Sequence, residues 1–168
     1  MKWFITLLLF WSLTVLAEPP KLEFVKDPKT VGKTRLEVLF WDIYEAELIA
    51  PEGKWDKDKP FALRLTYLRD FEGKEIASRS VDEMRDLGFD DELKLAKWFQ
   101  KMHRIFPDVK EGECIMGIVD EDKVSHFYFN DEKIGKVTDA EFTEWFFAIW
   151  LSEDTSEPKM REQLLGMN

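Results

Sequence analysis

The chain is predicted to be an α+β protein, a large antiparallel sheet covered by a layer of helices. Three observations predict it. Strand and helix patterns come in blocks, strands then helices then strands then helices, where a parallel α/β fold would alternate them singly. A clear strand alternates its faces, with Phe61, Leu63, Leu65 and Tyr67 on one side and Ala62, Arg64 and Thr66 on the other, the pattern of a sheet with one buried face. The helical segments repeat apolar residues every three or four positions, so each has a single stripe to bury.

The elements follow in order. After a polar lead-in through Asp27-Pro28-Lys29, the segment Leu36 to Ile49 reads as extended structure, with Leu36, Val38, Phe40, Ile43, Tyr44, Ala46 and Leu48 as its apolar members. Pro51, Gly53 and the charged run Lys54 to Pro60 form a loop before the strand at Phe61. Ser80-Val81-Asp82-Glu83 has the form of a capping box and is expected to start a short helix ending near Gly88. Asp90 is expected to cap a longer helix striped by Leu95, Trp98, Phe99, Met102, Ile105 and Phe106, which Pro107 ends.

Strands are expected at Glu113–Val119, Val124–Phe129 and Ile134–Val137, joined by the turns Asp120 to Lys123 and Asn130 to Lys133. Thr138-Asp139-Ala140-Glu141 reads as a second capping box, opening a helix whose apolar face is Phe142, Trp145, Phe146, Ile149 and Trp150. A last helix is expected to start at Ser156-Glu157-Pro158 and to stop at Gly166.

The first seventeen residues are expected to lie outside the fold. Lys2 precedes an apolar run from Trp3 to Leu16, and Val15 and Ala17 put small side chains before Glu18-Pro19-Pro20, the anatomy of a secretory signal peptide. The run is shorter than the roughly 20 apolar residues a membrane span needs. The domain plan is therefore a signal peptide over 1–17, cut after Ala17, and one domain over 18–168. Cleavage removes Lys2 and no acid, so the net charge of −10 for the whole chain becomes −11. The expected location is periplasmic or secreted, with no membrane span after cleavage.

Composition excludes several classes of function. An isoelectric point near 4.8 argues against nucleic acid, whose phosphates need a basic face. Cys114 is the one cysteine, which excludes an internal disulfide framework and a Cys-rich zinc site, and its apolar neighbours point to packing. The two histidines, His103 and His126, lie on different elements with no metal-ligand spacing and no nucleophile arranged beside them, so both read as structural. Asp120-Glu121-Asp122 reads as a solvated tight turn rather than as a calcium site. The eight glycines are scattered, without a phosphate-binding loop. No metal or other cofactor is expected. The feature left over is the aromatic content, 14% with 14 Phe and 7 Trp, which fills a core or lines an apolar cleft.

Several short motifs then recur in a familiar order. Gly32 and Arg35 precede a strand, Ile43-Tyr44-Glu45-Ala46 lies on the next, and Pro107 and Gly112 precede a strand pair. Asn130 sits in a turn, and Ile149-Trp150-Leu151 is followed by Pro158 and Leu164-Leu165-Gly166. Over roughly residues 28–166 the chain resembles the chalcone isomerase-like family, in particular its exported bacterial branch.

The resemblance implies an open-faced β-sandwich with a ligand cleft between sheet and helices. It also implies a cleft Arg at Arg35, where a guanidinium can hold a carboxylate bidentately, and a strand Tyr at Tyr44 as in the fatty-acid binders of the family. Tyr67, on the same face as Phe61, Leu63 and Leu65, is a third candidate ligand contact through its hydroxyl, with a core tyrosine as the competing reading. The isomerases of the family carry a Tyr and an Asn on the helix after a Gly-Lys turn; following Gly73-Lys74 this chain has Ile76 and Glu83 there. No catalytic residue is therefore carried over. The expected function is an exported non-catalytic binding protein for a small amphipathic ligand such as a fatty acid. The alternatives are an isomerase or lyase acting on a phenolic or enone substrate, and a structural or partner-binding module. An Arg35 paired with a neighbouring acid such as Glu37 at the surface is the competing reading of that residue.

Overall fold

In the computed structural model, residues 22–167 are described; the expected signal peptide lies outside them. Six strands, β1 (Pro28–Val38), β2 (Trp41–Pro51), β3 (Phe61–Tyr67), β4 (Cys114–Val119), β5 (Ser125–Phe129) and β6 (Glu132–Val137), form one sheet in the order β1-β2-β3-β4-β5-β6. Every neighbouring pair is antiparallel. Helices α1 (Gly73–Asp86) and α2 (Glu92–Ile105) fill the connection from β3 to β4, and α3 (Ala140–Leu151) and α4 (Pro158–Leu164) follow β6. This is the predicted architecture. Among the described residues no helix is long and apolar enough to cross a membrane.

Strand alternation divides the buried residues into two clusters. The larger lies between sheet and helices: Leu48, Leu63, Leu65, Ile115 and Phe127 from the strands meet Met84, Trp98, Met102, Phe142 and Phe146 from the helices. The smaller lies on the other face, where Ile49, Ala62, Met116, Ile118 and Tyr128 are covered by Val25, with Leu22, Phe24 and half-buried Cys114 at its edge. The helical layer is thus on one face, and the segment before β1 partly roofs the other.

The centre of the helix-facing core is aromatic. Phe127 packs edge-on to Phe106, Phe142 and Phe146, with ring centroids 5.1, 6.4 and 5.4 Å away. Above them Trp98 lies 5.7 Å from Phe142 and stacks on Phe89 at 4.6 Å. Two close approaches set how near the helices come. A Cβ at Gly32 would overlap the backbone carbonyl of Gln163 in α4, and one at Gly117 would meet the Phe147 ring at 2.9 Å.

Local differences from the sequence reading have physical causes. The extended segment at Leu36–Ile49 is two paired strands, turning at Leu39-Phe40 with Val38 opposite Trp41; the turn carries none of the Gly, Pro, Asn or Asp residues that mark one. The helix expected at Ser80 begins at Gly73, with the Glu75 carboxylate accepting from the Glu72 amide at 3.2 Å. Ser80 lies inside it and returns its hydroxyl to the Ile76 carbonyl, the back-bond an interior serine adopts. For α2 the cap is Asp91, not Asp90, its side chain accepting from Lys94 N. For α3 it is Asp139, not Thr138, accepting from the amides of Glu141 and Phe142.

Asp139 has a second task. Its other oxygen accepts the Trp98 indole N–H at 2.9 Å, tying the start of α3 to the middle of α2. Burial alone would raise its pKa, but the bonds from Trp98 and from the two amides outweigh this and hold the carboxyl below its ordinary value of 3.8. We expect Asp139→Ala to cost about 2–3 kcal/mol in denaturant unfolding, from a lost cap and a stranded buried N–H. Asp139→Asn, which keeps an acceptor, costs less. A lowered folded pKa means that the charge-dependent part is fully present above about pH 4 and is lost as the pH falls through the folded value, which acid titration of wild type against Asp139→Asn checks.

Candidate functional site

The three residues singled out on sequence do not come together. Tyr44 and Tyr67 face each other directly across β2 and β3, on the helix side, with rings edge-on at 6.1 Å. Arg35 pairs in register with Glu45, while its neighbour Leu36 pairs with Tyr44. Successive residues of a strand point to opposite faces, so Arg35 lies on the face away from the tyrosines. There its guanidinium holds Asp42 at 2.8 Å and Glu45 at 2.6 Å, and all three side chains are exposed. It is a surface ion pair, with acids other than Glu37.

Tyr44 sits at a polar junction of β2, α1, α3 and the α3–α4 connection. Its hydroxyl accepts the Trp150 indole N–H of α3 at 2.9 Å. Near it Glu83 of α1 accepts from Ser156 at 2.9 Å and is paired with Arg79. Desolvation pushes the Tyr44 pKa up to about 12, against the Trp150 bond, which lowers it. Burial likewise raises Tyr67. Both phenols stay protonated near neutral pH, so neither serves as a phenolate base. At the positions where the isomerases place their helix Tyr and Asn, Ile76 is half-buried against the core and Glu83 is taken up by Arg79 and Ser156.

A ligand-sized opening lies at the other end of β2. A cleft of about 550 Å³ runs between α3 and the edge formed by the β2–β3 loop, the start of β3 and the end of β4, inside the range of roughly 300–1,000 Å³ usual for small-molecule sites. Trp55, Phe61, Val119, Phe147, Ala148 and Leu151 supply its apolar wall, and Lys57 and Lys123 stand among Asp58, Glu141 and Glu144 at its margin. Phe61 meets Phe147 edge-on at 5.1 Å and Trp55 at 6.3 Å. The Trp55 indole nitrogen is buried with no hydrogen-bond partner. Lys123 bridges to the loop through the Lys57 carbonyl at 2.5 Å. Phe147 and Leu151 stood outside the stripe read for this helix. The available signal was that α3 is apolar nearly all round, as a helix is when both its flanks are in use.

The remaining chemistry-bearing residues are structural. His126 Nε2 meets Asp120 Oδ2 at 2.7 Å, and its ring stacks on Phe24 at 4.4 Å. Asp120 also accepts from the amides of Asp122 and Val124, so the acidic turn is closed by its own backbone, as expected for a tight turn. Desolvation raises the Cys114 pKa, which leaves it an unreactive thiol at neutral pH. Among the described residues no group of three or more His, Cys, Asp or Glu side chains is placed to hold a metal.

Six antiparallel strands under a helical layer, with a cleft between the layers, define an open-faced sandwich. The pattern of chalcone isomerase-like proteins matches residues 32–166, and the chain belongs to that family. An uncharacterised protein of Haemophilus influenzae is 28% identical over 125 residues, covering 74% of this chain. The match spans 61% of that relative's length. Among solved structures, a fatty-acid binding protein of Arabidopsis thaliana superposes with a TM-score of 0.64 at 12% identity, covering 83% of this chain and 87% of that one. At this identity the likeness is one of fold.

Tyr44→Phe removes the acceptor of the Trp150 N–H and is expected to cost about 1–3 kcal/mol at neutral pH. A folded pKa above the unfolded value of 10 means stability kept below pH 10 and lost as the pH rises toward 12. The stability difference between wild type and Tyr44→Phe should therefore shrink over that window, measured by unfolding at each pH.

Proposed function

We propose that the chain is an exported, non-catalytic binding protein for a small amphipathic carboxylate such as a fatty acid, held in the cleft beside α3. The observation that carries this reading is the cleft itself: ligand-sized, walled by Phe61, Phe147, Ala148 and Leu151, with Lys57 and Lys123 at its margin. An apolar wall buries a tail at about 25 cal/mol per Å², and an ammonium at the margin holds an acidic head as a point charge. In this arrangement the head-group task that the resemblance gives to Arg35 passes to the two lysines, because Arg35 is engaged by Asp42 and Glu45 on the opposite face.

One observation supports binding without turnover: Ile76 and Glu83 stand at the positions of the isomerases' substrate-orienting pair. Export is supported by the leader pattern of residues 1–17. It is tested by the intact mass of exported protein, expected to begin at Glu18.

Titration of a fluorescent long-chain fatty acid is expected to give saturable binding. Ala148→Trp, which fills the cleft, should abolish it while leaving the unfolding midpoint within a few degrees. Lys57→Glu with Lys123→Glu should weaken binding of the acid about tenfold or more and leave the corresponding alcohol nearly unaffected. Absence of saturable binding by the wild type, or binding indifferent to Ala148→Trp, would falsify the assignment.

A further inference from the structure

At the end of β2 remote from the cleft, the β1–β2 hairpin presents four consecutive apolar residues to solvent: Val38, Leu39, Phe40 and Trp41, exposed by 49, 87, 98 and 59%. None of them joins either core cluster. Folding gives no reason for them. The connection is two residues long, with Val38 opposite Trp41, and Leu39 has φ 59°, a conformation in which hairpin turns strongly prefer Gly, Asn or Asp. Leucine there is unfavourable for the backbone, and both Leu39 and Phe40 are unfavourable in water. Contiguous exposed apolar side chains of this kind mark interaction surfaces.

We propose that the tip, Val38–Trp41, docks the protein on a zwitterionic lipid surface, with Leu39 and Phe40 entering the boundary between headgroups and acyl chains. Its shape and composition select this partner. A two-residue tip is convex and narrow, so it enters a soft layer to a depth of roughly 5–10 Å and does not offer a flat face for a protein partner. At its base Trp41 carries the Arg69 guanidinium 4.4 Å from its ring centroid, an amphipathic pair suited to the headgroup level, where Trp and Arg collect. The hairpin's flanking charges, Arg35 and Arg69 against Glu37, Asp42 and Glu45, carry no positive excess, within a chain of net charge −10. Attraction to anionic headgroups therefore has no source, and apolar insertion is the driving force. The docked protein keeps the cleft at the far end of β2, away from the lipid. This inference goes beyond the ligand reading and stands without it.

The test is flotation of the full chain with phosphatidylcholine vesicles, wild type against Leu39→Gly with Phe40→Asn, which puts Gly at the one positive-φ position of the turn. The leader, kept or removed, is common to both proteins. The substituted turn has the sequence a two-residue hairpin favours, so its unfolding midpoint should be equal or higher. Vesicle partition is expected to fall about tenfold or more and, for the wild type, to hold when salt rises from about 0.1 M to about 1 M. Equal partition of the two proteins, or none by either, overturns the proposal, and salt-sensitive partition overturns the zwitterionic assignment. If the substitution instead converts a wild-type dimer to monomer without a change in partition, the tip is a self-association surface and the lipid inference fails.

Discussion

The structure depends on how closely a layer of aromatic rings can be brought down onto one face of the sheet. Phe127, alone of its strand, meets Phe106, Phe142 and Phe146 from the helical layer, so one strand position sets the height of two helical segments. Rings of this size seat only where the strands leave room. Gly117 leaves it for Phe147, and Gly32 lets α4 lie directly on β1. Close packing of this kind transmits shape, because protein interiors tolerate few voids. With α3 held by Phe142 and Phe146 on one flank, its other flank, from Thr143 through Phe147 to Leu151, is left as the wall of the cleft.

Polar side chains are fitted to this frame as ties between elements. Asp139 caps α3 and holds Trp98 of α2; Tyr44 of β2 holds Trp150 of α3. In both cases an indole N–H that would be costly to leave unpaired fixes one element against another. The tyrosine that the family resemblance offers as a ligand contact is thereby occupied in this chain by a helix, and the arginine by two carboxylates. The cleft beside α3 falls at the opposite end of the sheet. A shared fold thus carries its site where local packing leaves space, and family membership alone does not locate it.

What was legible in the sequence was what depends on short-range periodicity. Strand β3 declared itself through Phe61, Leu63, Leu65 and Tyr67, and α2 through its stripe from Leu95 to Ile105. The β1–β2 turn was not legible, because Leu39-Phe40 contains no turn-forming residue and apolar residues read as a continuation of the strand. The start of α1 was misplaced, since a Ser-x-x-Glu spacing occurs inside helices as well as at their caps. The cleft was not legible: the resemblance pointed to Arg35, and only the approach of Phe61 to Trp55 and to Phe147 makes these rings one wall.

By itself the sequence determined the fold class, the blocks of strands and helices and the buried face of β3, because hydrophobic period and backbone preference act within a few residues; the ordered short motifs carried the family resemblance. The tertiary structure decided which side chains meet. A register of Arg35 with Glu45 and of Leu36 with Tyr44 sends the arginine to one face and the tyrosine to the other. That outcome turns on pairing between residues ten apart, compounded by a register shift between Leu36 and Glu37. A displacement of one residue in such a pairing exchanges the faces of a whole strand, and no local pattern records it.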